Sequence, residues 1–203
     1  SVEIDLTDDS PTGVLRSMAL CMEKVGQEIE CLAPDVLIVL GDRYEAFAAA
    51  SAAMLMRIPI GHVHGGEATE GLIDEAIRHS ITKMSHIHFV AAESYRDRVV
   101  QLGEHPDRVH VVGGLGVDSI FRLDLLDRDD LQEAIGFTFG ERNLLVTFHP
   151  VTLESESDSR QVEELLAALS EFPDIHLIFT MPNSDPGGHQ INDALRRFVN
   201  GRS

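Results

Sequence analysis

Polar and titratable side chains follow several apolar runs of this sequence, at the points where the runs end. In an open parallel sheet, ligands bind at the carboxyl ends of the strands, so residues directly after each strand are the first candidates for chemistry. Four apolar runs end in this way, which is more than turn formation requires. The candidates are Asp42 and Arg43, then His62, His64 and Glu67, then His149, and finally Asn183.

Carboxylates and histidines grouped at one edge suit acid–base catalysis. His62 and His64 alternate along a predicted strand, so we expect both on the same face of the sheet. They could also ligate a metal ion, with Glu67 or Asp74 as a third ligand. No cysteine or further histidine stands at a recognised ligand spacing, so the sequence favours a site without metal.

Each candidate also has a purely structural interpretation. Asp42 could cap the following helix, because aspartate is a common N-cap residue. Asp74 and Arg78, four residues apart on one predicted helix, could form a surface ion pair. His149 could be a turn residue, and residues 183–187 have turn-forming composition whatever their function.

Short apolar runs alternate with amphipathic helical patterns from one end of the chain to the other. The predicted strands are 36–40, 58–63, 87–91, 109–112, 143–148 and 175–180. The predicted helices are 14–32, 45–56, 72–84, 95–102, 127–135, 160–171 and 190–198. This alternation predicts an α/β fold with doubly wound parallel sheets. The pattern loosens between residues 114 and 142, so we predict two domains, 1–125 and 126–203.

The composition argues against several classes of protein, namely nucleic-acid-binding, membrane-spanning and disulfide-bonded proteins. The chain has 16 lysine and arginine residues against 34 aspartate and glutamate residues, a formal net charge of −18, which argues against nucleic-acid binding. No stretch approaches the roughly 20 apolar residues of a membrane span, and no signal peptide is visible. Cys21 and Cys31 lie ten residues apart in one helical pattern, about 15 Å and too far for a disulfide. We therefore predict a cytoplasmic protein.

The candidate residues belong to motifs that occur together in a known family. The motifs are GDRYEA at 41–46, HVHGGE at 62–67, IDEAIRHSITK at 73–83, FHPVT at 148–152 and MPNSD at 181–185. In these motifs the chain resembles the UDP-N-acetylglucosamine 2-epimerases, in particular the hydrolysing branch that feeds sialic acid and related nonulosonic acid pathways. The resemblance runs in the same order through essentially the whole chain.

The resemblance implies a glycosyltransferase-B-like fold: two Rossmann-like domains with the active site in the cleft between them. UDP would leave by anti elimination with loss of the proton on sugar carbon 2, giving a 2-acetamidoglucal. Water and a proton would then add to release N-acetylmannosamine, without a cofactor. The catalytic residues would be Asp42, Glu67, Asp74 and His149, and the substrate contacts Arg43, His62, His64 and Asn183. Family members are commonly dimers or tetramers, so a homo-oligomer is expected.

The sequence also departs from the family pattern. Some members carry a glutamate where this chain has His64, and Glu67 is expected to take over that carboxylate role. The family's opening Gly-Thr-Arg turn and its later Ser-rich nucleotide loop are absent, so we expect a chain that is incomplete at both ends. Three alternatives stay open: a non-hydrolysing 2-epimerase, a glycosyltransferase of the same architecture, and a truncated domain without catalytic activity.

Overall fold

The computed structural model describes residues 10–69, 72–149, 158–181 and 188–201. The chain divides into two compact units, Ser1–Arg122 and Leu123–Ser203. Each unit is a Rossmann-like α/β layer with its own parallel sheet, which is the predicted fold class. The predicted domain boundary, after residue 125, lies slightly further along the chain than this division.

Unit 1 alternates helices and strands in the predicted order. Its strands are β1 Leu37–Leu40, β2 Ile60–Val63, β3 Ile87–Val90 and β4 Val109–Val111. Its helices are α1 Pro11–Leu32, α2 Tyr44–Leu55, α3 Ile73–Met84, α4 Glu93–Gln101 and α5 Leu115–Arg122, with a 3₁₀ turn at Pro106–Arg108. The first helix begins at a capping serine, since the Ser10 side chain accepts a hydrogen bond from the Gly13 amide.

The four strands of unit 1 are parallel and pair in sequence order, β1-β2-β3-β4. One row of the register runs Val39, His62, His88, Val109, and all four side chains are buried. Their common face packs against helices, with α2 contributing Ala50, Ala52 and Ala53 to the core. Small alanine side chains let this helix approach the sheet closely.

The other face of the same sheet is open among the described residues. Ile38 and Leu40 of β1 are 55% and 57% exposed, although parallel sheets are normally covered on both faces.

Helix α5 is the one described α-helix of unit 1 that the sequence did not predict. Three glycines at 113, 114 and 116 interrupt the hydrophobic pattern, and glycine normally signals a break. The helix nevertheless begins at Leu115 and buries none of its side chains. Phe121, near its end, is 83% exposed.

Unit 2 repeats the α/β pattern on a smaller scale. Its described elements are α6 Arg128–Ile135, β5 Asn143–Val146, α7 Asp158–Ser170, β6 His176–Phe179 and α8 Gly188–Gly201. Strands β5 and β6 are parallel, with Val146 opposite Phe179. The core consists of Val162, Leu166, Leu169, Ile191, Ala194 and Leu195 from the two long helices.

Among the residues that the structure describes, no helix combines the length and the hydropathy that crossing a bilayer demands.

Candidate active site

Asp42 lies in the turn that follows β1. Its carboxylate accepts a hydrogen bond from Nη2 of Arg78, which is 36 residues further along the chain in α3. The N-cap residue of α2 is Arg43, and its side chain makes no capping bond. The interpretation of Asp42 as a helix cap is therefore wrong, because its side chain binds another element.

Arg78 is the centre of the site in unit 1. Its side chain is only 4% exposed. Nη2 donates to Asp42 and, at 2.9 Å, to Oγ1 of Thr69. Nη1 donates at 3.0 Å to Oε2 of Glu75 and to the backbone oxygen of Glu67. We call these five residues the Arg78 cluster.

A buried guanidinium needs compensating charge, and Asp42 and Glu75 supply it from two different elements. The interpretation of Arg78 as half of a surface ion pair is therefore wrong.

The first turn of α3 contributes carboxylates to the same edge. Oε2 of Glu75 accepts the Thr69 amide hydrogen at 2.6 Å, and Oε1 lies 3.0 Å from Nε2 of His79. Burial raises the pKa of Glu75, but these two bonds and the charge of Arg78 outweigh it, so the pKa lies below its ordinary value. Asp74, predicted to be catalytic, is half-buried in the same turn.

His64 and Glu67 form a pair in the loop that follows β2. Nδ1 of His64 lies 2.9 Å from Oε1 of Glu67, and the side chains are 24% and 34% exposed. His64 has a left-handed backbone with φ of +66°, which is uncommon for a residue other than glycine. It lies beyond the last residue of β2, so the prediction that His62 and His64 share a face of a strand is wrong.

The loop is held in place by a second arginine and by close packing. Nη1 of Arg98 donates to the backbone oxygen of Gly66. Gly66 has φ of +80°, and a Cβ atom there would overlap the carbonyl oxygen of Tyr95. The residue directly before Glu67 therefore has to be glycine, for its backbone conformation and for its size.

His62 is placed differently from what its predicted role requires. Its side chain is fully buried, with Nε2 at 2.9 Å from the carbonyl oxygen of Gly41 and Nδ1 at 3.2 Å from Oγ1 of Thr82. Burial lowers the pKa of His62 from 6.5 to about 4, and the charges of His88 and Arg78 act in the same direction. The ring is thus neutral, has protein partners on both nitrogens and exposes no atom for the predicted substrate contact.

Arg43 lies at the accessible rim of the same turn. Its Nε is 3.3 Å from Oε2 of Glu45, and its guanidinium carbon is 5.6 Å from the centre of the Tyr44 ring. A third of its side chain is exposed.

The candidates in unit 2 follow its two strands. His149 comes shortly after β5 and is exposed. Two residues before His149 is Thr147, the first residue after β5. Its Oγ1 accepts a hydrogen bond of 2.8 Å from Oγ1 of Thr180, the first residue after β6. Asn183 lies outside the described residues.

Sequence reasoning missed several members of the site. Arg78 is predicted only as a surface partner, and no role in the site is predicted for Thr69, Glu75, His79 or Arg98. A signal for Glu75, Arg78 and His79 was present, because spacings of three and four residues place them on one helix face. No local pattern marks the partnership between Asp42 and Arg78. Within the described ranges, no group of three His, Cys, Asp or Glu side chains could hold a metal ion.

Comparison with known proteins identifies the family. Residues 1–202 match the sequence profile described as UDP-N-acetylglucosamine 2-epimerase. GDP/UDP-N,N'-diacetylbacillosamine 2-epimerase (hydrolyzing) from Campylobacter jejuni is 39% identical over 97% of this chain and 51% of its own length. Polysialic acid biosynthesis protein P7 from Escherichia coli is 41% identical over 97% of this chain and 50% of its own length.

A solved structure has the same fold. UDP-GlcNAc 2-epimerase from Neisseria meningitidis, bound to UDP-GlcNAc, superposes with a TM-score of 0.73 at 21% identity, over 94% of this chain and 54% of that one. The present chain thus spans about half the length of the relatives it matches. The profile match covers both units, and four of the five residues of the Arg78 cluster, all except Thr69, lie in the motifs that first indicated the resemblance. The chain belongs to the UDP-N-acetylglucosamine 2-epimerase family.

Proposed function

We propose that the protein containing this chain is a hydrolysing 2-epimerase that converts UDP-N-acetylglucosamine into UDP and N-acetylmannosamine. The observation that carries the proposal is the convergence on Arg78 of side chains from the turn after β1, the loop after β2 and the first turn of α3. This arrangement brings the carboxylate of Asp42 and the backbone oxygen of Glu67 to one guanidinium, with Asp74 four residues before Arg78 in the sequence.

The reaction needs two proton transfers at one carbon. In the first step a base removes the proton on carbon 2, a carbon–carbon double bond forms, and the bond from carbon 1 to the diphosphate oxygen breaks. In the second step the oxygen of water bonds to carbon 1 and a proton is returned to carbon 2 on the opposite face. A base and an acid must therefore reach both faces of the sugar. Asp42, Glu67 and Asp74 provide carboxylates from three different segments, which suits a two-faced reaction.

The departing diphosphate needs positive groups or hydrogen-bond donors. Arg43 is the accessible cation next to Asp42, with one third of its side chain exposed. We assign to it a contact with the diphosphate, and the family resemblance assigns a diphosphate contact to His149. His64 is half-buried beside Glu67 and is assigned to the sugar end of the substrate, and Asn183 to the nucleotide. The overall charge of −18 makes such local donors necessary, because the surrounding field repels an anionic substrate.

The substituent that the sugar of the substrate carries at carbon 4 is a separate question. The Campylobacter relative is named for a diacetylbacillosamine substrate, and the Neisseria structure contains UDP-GlcNAc. We therefore expect activity on a UDP-linked 2-acetamido sugar and test both compounds. Further expectations are a homo-oligomer, dimer or tetramer, a cytoplasmic location, and a product that enters sialic acid or related nonulosonic acid synthesis.

Product analysis of the full-length protein tests the proposal. With UDP-N-acetylglucosamine in heavy-oxygen water containing deuterium, we expect free UDP and N-acetylmannosamine that carries the heavy oxygen at carbon 1 and deuterium at carbon 2. Excess chelator should leave the rate unchanged. Intact UDP-N-acetylmannosamine as the sole product would assign the protein to the non-hydrolysing branch. Transfer of the sugar to an added acceptor would assign it to the glycosyltransferases.

A further inference from the structure

We propose that His62 is a positioning residue whose imidazole joins the two backbone segments that carry Asp42 and Arg78. The inference rests on the proposed catalytic role of Asp42. The His62 side chain is fully buried and is not itself part of the ion pair between Asp42 and Arg78. Its proposed task is to hold the backbone segments of both partners in place.

The first connection runs to the turn after β1. Nε2 of His62 lies 2.9 Å from the carbonyl oxygen of Gly41, the residue directly before Asp42. Gly41 has φ of +78°, so the chain turns sharply out of β1 at this point. Because a carbonyl oxygen can only accept, Nε2 carries the ring hydrogen and donates it. This bond fixes the direction in which Asp42 leaves the sheet.

The second connection runs to α3. Nδ1 of His62 lies 3.2 Å from the hydroxyl of Thr82, and the same hydroxyl lies 3.0 Å from the backbone oxygen of Arg78. With its hydrogen on Nε2, the neutral ring can only accept at Nδ1, so the single hydroxyl hydrogen of Thr82 is shared between Nδ1 and the Arg78 carbonyl oxygen. The ring therefore touches the helix turn from which the Arg78 side chain starts. One imidazole consequently sets the separation of the two segments whose side chains form the ion pair.

The surroundings keep the ring neutral and in one orientation. His62 lies opposite Val39 and His88 in the sheet register, and burial is the main cause of its low pKa. The charged or titratable groups that act on it are Asp42 from the β1 turn, Arg78 from α3 and His88 from β3. A Cβ atom at Gly65 would come within 2.9 Å of Nδ1, so the following loop packs directly on the ring. A ring flip would break both connections, since the two nitrogens have different partners.

Kinetic analysis of four substitutions in the full-length protein tests the inference. His62→Leu removes both connections, His62→Gln keeps a donor near the Nε2 position, and Thr82→Val removes only the connection to α3. The matched control is His88→Gln, because His88 is the buried neighbour of His62 in the register and binds Glu104, at 3.3 Å.

We expect His62→Leu to lower kcat about 10²-fold with KM changed less than about threefold, since small misplacements of catalytic groups have effects of that size. His62→Gln should recover about tenfold of this loss.

A spectroscopic measurement separates this inference from the proposed function. The guanidinium NMR signals of Arg78 report whether its ion pair with Asp42 is formed, whether or not the protein turns over any substrate. We expect them to be altered in His62→Leu and Thr82→Val and unchanged in His88→Gln. Equal kinetic losses in the His62→Leu and His88→Gln proteins, or unaltered Arg78 signals in folded His62→Leu and Thr82→Val proteins, would overturn the inference. An inactive wild-type protein with the expected Arg78 signals would overturn the proposed function alone.

Discussion

The strand-end edges of the two units differ in how their polar residues are held. In unit 1 the candidates are bound by other elements: Asp42 by Arg78 in α3, and His62 by Gly41 and Thr82. In the described part of unit 2, His149 is exposed, and the two strand ends are joined by the side chains of Thr147 and Thr180 and by the backbone bond from Thr180 to Val146.

This difference indicates two kinds of site. A paired, half-buried edge is organised before a ligand binds, which the proposed proton transfer at carbon would require. An exposed edge can adapt its contacts to a bound ligand. We therefore expect substitutions in unit 1 to alter catalysis and stability together, and substitutions in unit 2 to alter substrate affinity alone.

Asp42→Asn gives the largest expected change. Loss of a catalytic acid–base group lowers kcat by about 10²- to 10⁴-fold. The asparagine oxygen can still accept from Arg78, so the protein should remain folded. Steady-state kinetics of UDP release measures the effect, and Asp107→Asn is the control, because the Asp107 side chain is 90% exposed. Activity within threefold of the wild type would show that Asp42 is not catalytic.

Acidification should destabilise unit 1 through His62. The folded state holds this ring neutral with a pKa of about 4, whereas the unfolded chain binds a proton below about pH 6.5. The contribution of His62 to the free energy of unfolding is therefore fully present above pH 6.5. It falls by about 3 kcal/mol as the pH drops to 4. His88, whose pKa is lowered chiefly by burial, adds to the same trend. Urea unfolding at a series of pH values measures the slope, which should be smaller in His62→Gln.

Two glycines with nearly the same backbone angle test how closely the loop of unit 1 is packed. Gly66→Ala would bring a Cβ atom onto Tyr95, whereas at Gly113, with φ of +82°, the added atom meets nothing within 4 Å. Both variants bear the left-handed penalty of about 1 kcal/mol, and Gly66→Ala adds about 1–3 kcal/mol of overpacking. Thermal unfolding of both variants measures the difference, and equal melting temperatures would contradict the tight packing at Gly66.

His149→Ala should give the smallest change in stability. The residue is exposed, so the free energy of unfolding should shift by less than about 0.5 kcal/mol. Loss of a diphosphate contact should instead raise KM for the UDP-sugar. Chemical unfolding and initial-rate kinetics on the same protein samples check the two parts. A marked fall in stability would mean that the edge of unit 2 is as firmly bound as that of unit 1.

Apart from α5 and the 3₁₀ turn, the sequence was sufficient to predict the order of the helices and strands. Periodic apolar patterns and the placement of Asp42 and Glu67 after strands depend on local spacing, which a sequence displays directly. The partnership of Asp42 with Arg78 depends on how α3 packs beside the β1 turn, and no local pattern encodes that distance. The predicted orientation of His64 is wrong for a related reason. Strand β2 ends at Val63, directly before His64, and the backbone of His64 is left-handed.

The left-handed backbone at His64 makes this loop a place where thermostability and activity oppose each other. Glycine adopts such a φ without strain, so His64→Gly should relieve about 1 kcal/mol at that residue. It would also remove the imidazole that holds Glu67 at 2.9 Å. Selection for heat resistance alone would therefore favour glycine at position 64, which would give a more stable protein with a lower proposed activity.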